Sequence, residues 1–201
     1  MIKINKTDRQ FMASIIEDCR KTYVESYDNV IGKIEKDYLE AKLLLSIIEK
    51  SADKLPSERL VELENDKKEL EIRHEQTLSS IKNKHTMNLD LNDRCYSYIE
   101  KEEDLTLAEA DWIAKYFRKE LTDAIDWFES STKKENSHFN ELSECRNAML
   151  KEEVFGDTEQ SLFELAQKKH SKILSDIKDE FEKYRQNFSR CIELAVVGSV
   201  A

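Results

Sequence analysis

Glycine and proline are scarce in this chain: its 201 residues hold three glycines and one proline. These two residues punctuate strands and tight turns, so their scarcity excludes a fold of many short elements and favours a few long helices. Val, Ile and Thr do not gather into alternating runs, which removes the competing strand reading. No apolar run approaches bilayer length, and the opening MIKINKTDRQ lacks the continuous apolar stretch of an export signal. The four cysteines, Cys19, Cys95, Cys145 and Cys191, stand far apart with no CxxC pair, as expected of reduced thiols in a cytoplasmic protein. No glycine-rich phosphate loop, HExxH or GxSxG occurs. No catalytic residue or cofactor is therefore assigned, and the chain is not expected to be an enzyme.

Charge is plentiful but of both signs. Charged residues make up 37% of the chain against 39% apolar, and the formal net charge is −10. Interspersed charge of this density is the signature of long helices with broad solvent faces. The negative balance argues against nucleic acid or anionic lipid as a partner, since phosphate contacts need clustered Lys and Arg. The short basic groups at 82–85 and 168–172 read as solvated helix faces.

The clearest helix is DLTLAEADWIAKYFRKELTDAIDWF, residues 104–128. Thr106 is placed to cap it, Glu109 to close a capping box, and Leu105 to act as a hydrophobic staple. Ile113, Phe117, Leu121, Ile125 and Phe128 recur every three or four residues, with Trp112, Tyr116 and Ala124 widening the stripe. The polar run SSTKKENS, residues 130–137, leaves open whether one helix or two follows. Phe139, Leu142, Cys145, Met149 and Leu150 resume the pattern, and Gly156 reads as a C-cap. A last helix then carries Leu162, Ala166, Ile173, Ile177, Phe181, Tyr184, Phe188, Cys191 and Ala195.

Before the Thr106 helix, a first helix capped by Thr7 or Asp8 runs to about Lys50. Tyr27, Ile31, Ile34, Tyr38, Ala41, Leu45 and Ile48 alternate steps of four and three, a heptad seam. A turn at 51–56 reverses the chain into an antiparallel partner that reaches about Thr86, with Lys67 and His74 interrupting its face. Residues 88–93 (NLDLND) read as a loop. The pattern is all-α: a long helical hairpin over 1–88 and a helical bundle over 89–201.

The segment Leu105-Thr106-x-x-Glu109-Ala110-Asp111-x-Ile113, continued by Tyr116-Phe117-Arg118-Lys119-Glu120-Leu121 and Asp123-Ala124, resembles the helical region of the bacterial zinc-ribbon proteins typified by YbeL. Phe139 to Gln167 is loosely similar as well. The resemblance implies a shared helical fold and no established activity. The ribbon's CxxC ligands have no counterpart here.

Two functional readings follow. The first is a scaffold, adaptor or regulatory protein that buries a helical stripe against another protein or a second copy of itself. Tyr27, Ile31, Ile34, Tyr38, Leu45 and Ile48 are the expected contact residues, and Trp127, nearly opposite the main stripe of its helix, is a further candidate. The alternative is a di-iron-like four-helix-bundle enzyme. Glu71-x-x-His74 and Glu135-x-x-His138 have the i, i+3 spacing that places both ligands on one helix face. His138 with Cys145, or His170 with Cys191, would be the residues for a zinc or Cys–His site, with no third orienting group apparent.

Overall fold

The computed structural model describes residues 1–51, 56–152 and 154–199. Its helices are α1 (Lys6–Glu49), α2 (Ser57–Ile99), α3 (Leu107–Lys151) and α4 (Asp157–Val197). The all-α expectation holds: among the described residues the one extended pairing is an isolated bridge between Ile2 and Leu105. The chain divides into two compact units, Phe11–Glu100 and Met1–Gln10 with Lys101–Ala201.

The first unit is an antiparallel pair. The ring of Tyr27 stacks on His85 at 4.2 Å, and that of Tyr38 stacks on His74 at 3.9 Å. Glu49 meets Lys67 at 2.8 Å. Lys67 and His74, which looked like interruptions of the α2 stripe, thus lie on the face that meets α1. Each is accommodated by a partner on the opposite helix: a carboxylate for the ammonium, a flat ring for the imidazole. The turn expected at 51–56 falls mostly on residues 52–55, outside the described residues. Pro56 directly precedes α2, where its missing N–H costs nothing.

The loop expected at 88–93 does not exist. α2 runs unbroken through it to Ile99. The reason is tertiary: Asn92 is buried, and its side-chain amide donates to the Ile16 carbonyl at 2.8 Å. Asn88, Asn92 and Cys95 step by four and three along the inward face, so the polar letters conceal a continuing helix.

The second unit centres on α3 against α4. Phe117 meets Phe188, Trp127 meets Tyr184, Phe128 stacks on Phe181, and Phe139 lies between Phe163 and His170. Burial is deepest in the first turns of α3, at Ala110, Ile113, Ala114, Tyr116 and Phe117. The Thr106 capping box forms as read: the hydroxyl accepts from the Glu109 N–H at 3.2 Å, and the Glu109 carboxylate accepts from the Thr106 N–H at 2.9 Å. Lys101 pairs with that carboxylate and, with both Thr106 groups, holds it down to about 2.

One open question is answered and two local expectations are corrected here. α3 is one helix, since SSTKKENS contains no Gly or Pro and Glu135 turns inward to His170. Gly156 is the N-cap of α4, not a C-cap; its N–H donates to the Glu159 carboxylate at 3.0 Å. Ile125 and Leu162 are exposed, while the neighbouring Ala124 is buried and Phe163 is half-buried.

The two chain ends meet within this unit. Ile2 and Leu105 exchange backbone hydrogen bonds, and the Ser199 N–H donates to the Lys3 carbonyl at 2.9 Å. Asn5, rather than Thr7 or Asp8, caps α1, its side-chain oxygen accepting from the Asp8 N–H at 2.8 Å. Asp8 instead takes the Ser199 hydroxyl at 2.8 Å and Arg190 at 3.1 Å. These donors, Ser199 foremost, hold the Asp8 carboxyl below its usual value of 3.8. A depressed folded-state value means the contribution is present above the ordinary aspartate range and lost as pH falls through it. Urea midpoints of the wild type should therefore drop more steeply on acidification than those of Asp8→Asn, and parallel curves would refute the clasp.

Candidate helix-docking surface

The stripe named from the sequence lies inside the first hairpin. Tyr27, Ile31, Ile34, Tyr38 and Leu45 are half-buried on the α1 face that meets α2, and Ile48 at its end is exposed. Trp127 is also internal to its hairpin, its ring set edge-on to Tyr184 at 6.1 Å. Trp127 stands close to four full helical turns after Ile113, so it falls near the side of α3 that carries the main stripe rather than opposite it, and α4 covers it.

An exposed apolar cluster lies on the other side of α1 near its C-terminal end. Leu39, Leu43, Leu44, Ile47 and Ile48 are all exposed, as are Leu60 and Val61 at the start of α2. Leu43 keeps 60% of its surface and Ile47 52%. The run LEAKLLLSII, residues 39–48, is apolar around most of the helix circumference: one arc meets α2, and a second faces solvent. Leu39, Leu43 and Ile47 follow each other at i+4, so they form one ridge. Lys36 lies one turn before it, and Lys50 just past the helix end.

Beside the ridge runs a groove of about 390 Å³, walled by Ala41, Leu44 and Leu45 of α1 and by Asp66, Glu69 and Leu70 of α2. On the other flank a smaller groove of about 200 Å³ is also lined by Leu45 and Leu70. The hairpin here is one leucine pair thick, with an open channel on both sides. Its charged rims make pairs worth little in water: Glu69 with Arg73, and Lys36 with Glu40 at 3.7 Å.

The residues of the di-iron reading are engaged elsewhere. His74 is held against Tyr38, with Glu35 at 3.5 Å, and Glu71 is exposed. Glu135 bonds His170 across the second hairpin at 3.0 Å, and His138 is exposed. Among the described residues, no group of three or more His, Cys, Asp or Glu converges. Of the thiols considered with histidines, Cys145 is exposed and Cys191 is buried. Three of the four histidines, His74, His85 and His170, instead stack on a ring of the facing helix, a packing role.

No helix among the described residues is long and apolar enough to cross a membrane. No family model, curated protein or solved structure matches the chain. The reading of its function therefore rests on the surface just described.

Proposed function

We propose that this protein is a non-catalytic helical scaffold or adaptor that works by burying the apolar end of α1 against a helix of another chain. The observation carrying this reading is the exposed cluster of Leu39, Leu43, Leu44, Ile47 and Ile48 beside an apolar groove. Scattered apolar residues on a surface need no partner, but a contiguous patch of this kind marks a contact site. The heptad seam from Tyr27 to Leu45 then has a supporting role. By packing on α2 it stiffens the rod that presents the patch, so little conformational entropy is lost on docking. Helix-in-groove recognition through i, i+4 anchors is the mode that fits. Four scattered reduced thiols support a cytoplasmic setting.

The test is a paired capture from native lysate. Wild-type protein should retain a partner, itself or another, that Leu43→Glu/Ile47→Glu loses while keeping its helical circular dichroism. Equal recovery by both proteins, or none by either, contradicts the reading.

A further inference from the structure

We infer that the middle of the α3–α4 hairpin is a docking surface for a short acidic segment of a partner protein. This goes beyond the α1 reading, on a different unit and through a different chemistry. Lysines far apart in the sequence come together here. Residues 130–140 of α3 hold Lys133 and Lys134, and residues 165–175 of α4 hold Lys168, Lys169 and Lys172. The Glu135–His170 contact at 3.0 Å and the stack of Phe139 on His170 put the two stretches at one level of the pair. All five lysines are exposed, and among the described residues none pairs with a carboxylate. Lysines nearer the start of α3 do pair: Lys115 with Asp111, and Lys119 with Asp123. Lys134 and Lys169 have no carboxylate three or four residues away on their own helix. The one carboxylate inside the band, Glu135, is already engaged by His170. Five lysines against that one carboxylate leave a local balance of +4 in a chain of −10.

Position narrows the surface further. Lys134 stands one residue before the inward Glu135, His138 one before Phe139, and Lys169 one before His170. One residue back is a turn of about 100°, and in an antiparallel pair that turn leads to the same side on both helices. Lys134, His138 and Lys169 therefore share a flank, and Lys172, one residue before the half-buried Ile173, joins them. The basic group of the first hairpin is different: Lys82 and Lys84 share their level with Glu25 and Asp28 of α1, where Tyr27 stacks on His85.

The charge pattern along the hairpin selects the partner. The windows on either side of the band are 119–129 with 176–186, and 141–151 with 154–164. They hold eight carboxylates against four basic residues, and five against two. The positive band is thus about 16 Å long and bounded by negative surface at both ends. A nucleic-acid duplex or an anionic bilayer would extend over those carboxylates and be repelled. An acidic stretch of about two to three helical turns covers the band and goes no further.

Fluorescence anisotropy on the full chain tests this, with a labelled Glu-rich helical peptide of about twelve residues as probe. Labelled duplex DNA and phosphatidylserine vesicles are the comparison arms. The peptide should bind at low salt and be released as salt rises. Lys134→Glu/Lys169→Glu/Lys172→Glu should weaken binding about tenfold or more with unchanged helical content, because all three side chains are exposed. Lys33→Glu/Lys82→Glu/Lys84→Glu reaches the same total charge on the other unit and should bind as wild type does. Leu43→Glu/Ile47→Glu should also bind the peptide, so this surface and the α1 surface stand or fall separately. A wild type that ignores the peptide overturns the inference, as does equal loss in the two triple variants. Tighter binding of the duplex or the vesicles than of the peptide overturns it too, by naming another class of partner.

Discussion

Phe117→Ala is expected to cost about 3–5 kcal/mol, the range for deleting a fully enclosed aromatic ring without room for collapse. Phe117 has no exposed surface. Its ring meets Tyr116 edge-on at 5.1 Å and Phe188 of α4 at 6.3 Å, so the substitution leaves a hole between two rigid helices. Both tryptophans, Trp112 and Trp127, lie on α3, so their fluorescence reports this unit selectively. In urea the emission midpoint should fall well below wild type. A midpoint within the error of wild type would mean that α3 and α4 are not packed through this ring.

Gly198→Val should release the C-terminal end from the N-terminal segment. Gly198 adopts φ 87° and ψ −179°, a region essentially reserved for glycine. A Cβ there would lie 2.7 Å from the Lys3 carbonyl oxygen, and a backbone atom cannot step aside as a flexible side chain would. Forcing a side chain into this conformation costs about 1–3 kcal/mol before the clash is counted. The cheapest relief is to lift residues 198–199 away, which breaks the bonds from Ser199 to Lys3, Asn5 and Asp8 together. Amide exchange at Asn5 and Ser199 should accelerate strongly, with the interior amides around Ile113 little changed. Unchanged protection at Asn5 would contradict the clasp. Gly32 is a useful contrast, since a Cβ there meets nothing within 4 Å and alanine should be tolerated.

Local chemistry was legible in the sequence where it closes on itself. The Thr106–Glu109 box needs four consecutive residues, and it forms as read. The α1 seam was legible because a regular apolar step needs no knowledge of the partner helix. Features whose cause lies on another helix were not. Asn92 reads as a turn residue until the Ile16 carbonyl accepts its amide, and His74 reads as a break until Tyr38 is placed against it. The i, i+3 spacing of Glu135 and His138 does not say which side of α3 meets α4, and His138 is exposed. The ring of Phe139, stacked on His170 at 4.3 Å, fixes the true face.

The docking surface lay between these cases. The best heptad in α1 is the face it shares with α2, so the most regular pattern identified the interior of the hairpin. The signal for the outer face was present in LEAKLLLSII, where apolar residues exceed what one seam can use. A helix apolar on two arcs offers two contact faces, and α2 covers one of them.

Methyl NMR on the intact chain tests this most directly, because each leucine and isoleucine reports its own surroundings. On raising the protein concentration or adding native lysate, the Leu39, Leu43 and Ile47 methyl resonances should shift together, while those of the enclosed Leu105 and Ile113 stay fixed. Ridge methyls that do not move over the whole range, and do not respond to native lysate either, would contradict the claim that the outer face of α1 is a working contact.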